Sequence, residues 1–350
     1  MYNIKFTVFF CTILHLLIKY RVIIILKSIN IMEELIMKLV ILEPLGVEKD
    51  KFINMAEEVL GNRVDTTYYD TRIEDTETLI ERSKNAEIVV LSNFKYKNEV
   101  IENCPNLKMI CVAFTGVDHI DIEYCKERGI IVCNCAGYST IAVADLVFGL
   151  LIALYRNIVK CDEVTREGGT KNGLVGFELE GKKFGIVGTG EIGMRVAGIA
   201  KAFGCEVYAY SRTVKENTGI KYVDLNTLLS TCDVISLHVP LNNLTKGLIN
   251  KENISLMKEN AVLINTARGP VVDNEALAEA LKSGKILGAG VDVFEVEPPI
   301  PTEHVLFGAP NLVVTPHVAF ATKESMVKRA EIVFDNIDKY LNGTPQNVII

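Results

Sequence analysis

Gly188, Gly190 and Gly193 stand at G-x-G-x-x-G spacing directly after the apolar run 183–187, and Met194-Arg195-Val196-Ala197-Gly198-Ile199-Ala200 behind them carries helical apolar spacing. Each glycine has its own physical reason. Gly188 permits a tight strand-to-helix turn, Gly190 lets backbone approach a pyrophosphate, and Gly193 lets the helix pack close to the strand. Uncapped N–H groups at that helix start, with the helix dipole behind them, hold negative charge. Glu191 and Ile192 fill the variable positions. Such a motif alone also occurs as a plain structural corner. With a second strand at 206–210 it completes a βαβ unit, and the spacing then reads as a dinucleotide site.

Three segments further on each place one polar residue at a strand end. Arg268 follows the apolar strand 261–265, Glu297 precedes the rigid pair Pro298-Pro299, and His317 leaves the strand 312–315 just after Pro316. Singly, these are an ordinary surface arginine, a solvated turn residue and a structured-loop histidine. Jointly they lie where open α/β sheets bind ligands, and their types suit anion recognition and acid–base work.

The elements that must position them alternate. Strands are predicted at 39–42, 63–69, 87–91, 109–112 and 130–132, with helices at 49–60, 76–84, 97–103 and 120–127 between them. Residues 139–155 form a helix too apolar for a surface, expected to pack between domains. Strands at 234–237, 261–265, 288–293 and 312–315 continue the glycine-rich unit, and the amphipathic helix 323–341 returns to the first domain. The expected fold class is therefore α/β, with two doubly wound parallel-sheet domains. One is a Rossmann dinucleotide-binding domain over 136–318; the other is a discontinuous flavodoxin-like substrate domain over 37–135 and 319–350.

Composition narrows the classes. A net charge of −7 gives no basic footprint, so nucleic acid is not an expected partner. The nine scattered cysteines read as buried thiols of a reducing cytoplasm, and Cys133-x-Cys135 lacks metal spacing. None of the five histidines sits in a metal-ligand cluster. Residues 1–36, apolar but interrupted by Lys19-Tyr20-Arg21, do not belong with the rest. They read as a non-native extension preceding a true start at Met37 rather than as a membrane anchor or a signal peptide.

Taken together, the segments resemble the D-specific 2-hydroxyacid dehydrogenase family from about Met37 to the end. The likeness lies in the glycine loop, Ala113-Phe114-Thr115-Gly116-Val117-Asp118, Asn134-Cys135-Ala136-Gly137-Tyr138-Ser139-Thr140, His238-Val239-Pro240-Leu241, Asn265-Thr266-Ala267-Arg268-Gly269, Glu297-Pro298 and Pro316-His317. The resemblance implies that Arg268, Glu297 and His317 are catalytic. A guanidinium fork matches a 2-oxo acid's carboxylate, a histidine exchanges the proton, and a carboxylate orients the imidazole and stabilises its protonated form. It also implies substrate binding by Asn93, Phe114, Thr115 and Gly116, and cofactor contacts from His238, Val239, Pro240, Thr266, Ala267 and Asp292. His238 has no catalytic partner set in the sequence.

The implied substrate is a small 2-oxo or 2-hydroxy acid, glyoxylate or hydroxypyruvate rather than 3-phosphoglycerate or D-lactate. The loop at Phe114, Thr115 and Gly116 carries no Arg or Lys for a phosphate. A nucleotide-sensing corepressor on the same scaffold is the alternative class, and a cytoplasmic homodimer is the implied state. The second strand of the βαβ unit ends in Ser211-Arg212-Thr213, where an NAD-type site carries an acidic residue. A hydroxyl, a guanidinium and a second hydroxyl suit a 2′-phosphate, so NADP(H) is expected, with NAD as the alternative.

Overall fold

The computed structural model describes residues 36–350, which divide into two compact units, residues 36–135 with Ala330–Ile350, and Ala136–Arg329. The expectation for residues 1–36 lies, except at Ile36, outside the described residues. The sequence puts the return to the first unit at residue 319; the division falls at Ala330, inside the final helix Lys323–Leu341.

In the first unit, strands β1 (Met37–Ile41), β2 (Val64–Tyr68), β3 (Ile88–Leu91), β4 (Met109–Val112) and β5 (Ile131–Asn134) form one parallel sheet in the order β2-β1-β3-β4-β5. Every residue of β3 and β4 is buried, which is why both read as continuous apolar runs rather than alternating ones. Helix starts are set by side-chain caps, Asp75 accepting from Thr78 N–H and Asp121 from Tyr124 N–H. The chain leaves β1 in one direction and β3 in the other, so the carboxyl ends of these two strands flank a switch point.

The second unit holds β6 (Lys183–Val187), β7 (Glu206–Tyr210), β8 (Lys221–Tyr222), β9 (Val234–Leu237), β10 (Val262–Asn265), β11 (Gly288–Val291) and β12 (Leu312–Val314), all parallel in the order β12-β11-β10-β9-β6-β7-β8. Its switch point falls between β6 and β9, directly beyond the glycine loop. Both units have the doubly wound architecture expected from the alternation of elements.

Helix Thr140–Tyr155 puts its apolarity to use within its own unit, where Ala144, Val147, Phe148, Leu150 and Leu151 pack on Phe184, Ile186, Val234, Val262 and Ile264. Phe148 stacks on Phe184 with ring centroids 5.7 Å apart. The approach is so close that a Cβ on Gly290 would lie 2.9 Å from Leu150 Cβ, which explains glycine in the middle of β11. Phe148→Ala would cost about 3–5 kcal/mol at such a site. Asn157, at φ 52°, then bends the chain by 55° into helix Ile158–Arg166, an element absent from the sequence-based reading.

Among the described residues no single helix is long and apolar enough to cross a membrane. The described cysteines are all free, and all but Cys161 are buried. Burial pushes the Cys133 and Cys232 thiols up to about 12.

Candidate active site

The glycine turn is built as its spacing requires. Gly188 adopts φ +98°, its N–H donates to Tyr210 O at 2.8 Å, and a Cβ there would meet His238 O at 2.5 Å. A Cβ on Gly193 would meet Gly188 O at 2.0 Å, whereas one on Gly190 would meet nothing within 4 Å. Two glycines are thus demanded by protein packing. The middle one faces open space, as a position approached by a ligand should. Gly190 caps helix Glu191–Ala202 with no side-chain hydrogen bond, leaving Glu191, Ile192 and Gly193 to present its first N–H groups.

Around this turn the fold gathers other residues of the cofactor set. The Tyr210 bond places Ser211 beside it, and Thr189 Oγ1 donates to Thr213 O at 3.5 Å; Arg212 and Thr213 are exposed. His238 N–H donates to Val187 O at 2.7 Å, so His238-Val239 lies on the turn, with Pro240 exposed beyond it. Desolvation pushes the His238 imidazole down to about 3, and its Nε2 meets Ser236 Oγ at 2.9 Å. This ring is neutral and suited to hydrogen bonding rather than proton exchange. Among the described residues the buried Thr266 hydroxyl has no hydrogen-bond partner. A buried hydroxyl at the carboxyl end of β10 is placed to hydrogen-bond a ligand at the sheet edge. These residues fit a dinucleotide.

At β10, Asn265 explains how Arg268 is presented. Its buried side chain accepts from Ala267 N–H at 3.1 Å and donates to Arg268 O at 3.0 Å, folding Thr266, Ala267 and Arg268 into a fixed turn. Arg268 Nη1 donates to Ala267 O at 2.8 Å.

Glu297 and His317, 20 residues apart, meet with His317 Nδ1 2.7 Å from Glu297 Oε2. The carboxylate accepts, so Nδ1 carries the hydrogen between them. The imidazole is 10% exposed and the carboxylate 45%. Phe320 stands edge-on to the imidazole at 5.6 Å and 89°. His317 itself takes φ 55°, an uncommon conformation for a residue with a side chain.

Asp292 shows why that conformation holds. Its fully buried carboxylate accepts from Thr315 Oγ1 at 2.5 Å, Val318 N–H at 2.9 Å and Ala319 N–H at 3.0 Å. The sequence assigns Asp292 to the cofactor; in the structure both its oxygens hold the histidine loop.

Within the first unit, Phe114 O accepts from Cys135 N–H at 2.9 Å and Thr115 O from Asn134 Nδ2 at 2.7 Å, so the loop that continues into Gly116 is anchored through its carbonyls. Asn93 Oδ1 accepts from Arg72 Nη1 at 2.8 Å. Arg72 is a cation the sequence-based reading missed. It follows β2 while Asn93 follows β3, and only the strand order brings both ends together. Glu43 (3.1 Å) and Glu74 (2.8 Å) flank the guanidinium, so it adds no net positive charge.

The chain is similar to known proteins in both sequence and fold. Residues 148–319 match the family model "D-isomer specific 2-hydroxyacid dehydrogenase, NAD binding domain". A glyoxylate reductase of Thermococcus litoralis is 45% identical over 285 residues, covering 77% of this chain and 86% of that protein. A hydroxypyruvate reductase of Blautia hydrogenotrophica is 36% identical over 323 residues, covering 89% and 99%. Among solved structures, an acyclic imino acid reductase in complex with NADPH and D-Arg superposes with a TM-score of 0.82 at 34% identity, covering 90% of this chain and all of that one. The chain belongs to the D-isomer specific 2-hydroxyacid dehydrogenase family, oxidoreductases acting on the CH–OH group of their donors.

Proposed function

We propose that this protein reduces small 2-oxo acids to D-2-hydroxy acids, with glyoxylate or hydroxypyruvate as substrate and NADP(H) as the nucleotide. The observation that carries the reading is the 2.7 Å His317–Glu297 pair at the carboxyl edge of the sheet that also bears the glycine turn. A nicotinamide dinucleotide held by the glycine turn would supply or accept the hydride at the substrate's C2. His317 Nε2–H gives the proton that the developing alkoxide needs and takes it back in the oxidative direction. Glu297 accepts from the ring's Nδ1–H and so fixes the imidazole's orientation. Arg268 grips the substrate carboxylate with its fork and polarises the neighbouring carbonyl. Asn93 and the backbone N–H groups of Phe114, Thr115 and Gly116 are proposed to bind substrate as well.

Glyoxylate and hydroxypyruvate are supported by the named relatives. Against a phosphorylated acid stands the balance of Arg72 with Glu43 and Glu74 beside Asn93. NADP(H) is supported by Ser211-Arg212-Thr213 beside the glycine turn and by a structural relative solved with NADPH. A homodimer in the cytoplasm is proposed, with the first unit, 37–135 and Ala330–Ile350, serving the substrate and the second, Ala136–Arg329, the nucleotide.

The test is a panel of 2-oxo acids assayed with NADPH and with NADH. Turnover of glyoxylate or hydroxypyruvate is expected, faster with NADPH at low nucleotide. Nucleotide binding without turnover of any 2-oxo acid would replace the enzyme by a nucleotide-sensing protein.

A further inference from the structure

Two residues before Glu297, the side chain of Glu295 ties separate segments together. Its Oε1 accepts from Asn274 Nδ2 at 2.6 Å and its Oε2 from His304 Nε2 at 3.0 Å. Asn274 is buried at the start of helix Asn274–Lys282. His304 packs edge-on to Phe294 (5.1 Å, 84°) and against Phe307 (5.5 Å). Its Nδ1 accepts from Leu306 N–H at 3.3 Å, which leaves the ring hydrogen on Nε2 facing the carboxylate. Burial pushes the Glu295 carboxyl up, yet the hydrogen bonds from His304 and Asn274 bring it below the ordinary carboxylate value.

The same stretch of backbone meets the arginine loop. A Cβ on Gly269 would lie 2.0 Å from the carbonyl carbon of Phe294 and 2.6 Å from Glu295 N. The residue after Arg268 is therefore glycine because the loop sits directly on the Phe294–Glu295 peptide. Residues 295–299 are all exposed. Glu297 lies two residues after the clasped Glu295, and its carboxylate meets His317.

We infer that Glu295 is a positioning residue, whose clasp on Asn274 and His304 holds the segment bearing Glu297 against His317 and keeps Arg268 in register with it. This inference rests on the reading of Arg268, Glu297 and His317 as the reacting set.

Glu295→Gln keeps the side chain's shape but turns an amide N–H₂ toward one of the two donors. His304→Phe keeps the aromatic packing and removes the N–H, which separates the clasp from simple loss of packing. In the full-length protein each substitution should lower kcat for 2-oxo acid reduction by about ten-fold or more while the nucleotide Kd stays within about two-fold, since misplacement of a reacting group by a fraction of an ångström acts on the chemical step. The double substitution should be no worse than either single one, because both break one unit. Hydrogen–deuterium exchange across residues 295–304, measured without substrate, should accelerate in both. Faster exchange with unchanged kcat would make the clasp purely structural and overturn the inference, as would unchanged exchange in both variants. A wild-type protein inert toward every 2-oxo acid would defeat the functional reading instead, and exchange would still report whether the clasp exists.

Discussion

The backbone N–H of His317 donates to the carbonyl oxygen of Asp292 across 2.7 Å, while the Asp292 carboxylate takes the next two N–H groups of the same loop. A buried carboxylate with three donors is thus the scaffold on which the histidine's left-handed conformation rests. Asp292→Asn turns one acceptor into a donor facing Val318 or Ala319 N–H. The loss should be about 2 kcal/mol, read as a Tm fall of roughly 4–8 °C, with turnover reduced in the protein that remains folded. Thermal denaturation and kinetics on the same preparation check both; an unchanged Tm would mean that the loop does not depend on this carboxylate.

His317→Ala removes the proposed proton donor without touching the glycine turn. Turnover should fall by ~10²–10⁴-fold with little loss of nucleotide affinity. Rapid-mixing measurement of the reduction step separates chemistry from product release. A reduction rate equal to wild type would remove His317 from the mechanism.

What the sequence exposes and what it hides follow from range. Arg268, Glu297 and His317 are legible because each follows a strand whose apolar run is itself legible, and the glycines are legible because their spacing is local. The pairings of Glu295 with Asn274 and His304, 21 and 9 residues apart, and of Arg72 with Asn93 depend on strand order and leave no periodic trace. Asp292 is visible as a strand-end acid, but only the fold shows that it faces the loop of the adjacent strand. Helix Ile158–Arg166 escapes because its face is only partly buried, and β8, two residues long, is too short to carry a period.

Removing the charge of Glu297 while keeping its shape tests the pair directly. The carboxylate lies 2.7 Å from His317 Nδ1 and holds the ring in one orientation. In Glu297→Gln, kcat for 2-oxo acid reduction should fall by about ten-fold or more while the nucleotide Kd stays within about two-fold, since the proposed proton donor is then less firmly oriented. Steady-state kcat and nucleotide titration decide this, and an unchanged kcat would show that the proposed reaction does not depend on the pair.

His238 makes a separate prediction about stability. The folded protein refuses a proton on this ring until about pH 3, while an unfolded chain accepts one near the ordinary histidine value of about 6.5. Below that value the unfolded state binds more protons, so stability is present above about 6.5 and lost as pH falls toward 3, with a slope of at most about 1.4 kcal/mol per pH unit. The residue as a whole is only half-buried, so this slope is an upper bound. His238→Gln keeps a partner for Ser236 and should flatten the acid limb of denaturant-measured stability. An identical acid limb in the variant would show that the ring does not carry it.

The proposed preference for NADP(H) rests on the end of β7. Thr189 holds the turn of Ser211, Arg212 and Thr213 beside Gly188, and Arg212 is exposed there as a guanidinium with no acidic residue in the NAD-type position. An acid would repel a 2′-phosphate; the cation attracts it. Losing a charge-assisted contact to phosphate costs about 1.5–3 kcal/mol, so Arg212→Ala should raise KM for NADPH by about one to two orders of magnitude. NADH has no phosphate at that position, and its KM should stay nearly unchanged. Replacing Ser211 by Asp should act in the same direction, by repulsion rather than by lost attraction, and should also offer NADH an acceptor for its ribose hydroxyls. Steady-state KM values for both nucleotides in wild type and the two variants check the assignment. Equal effects on NADPH and NADH, or a wild-type preference for NADH, would overturn it.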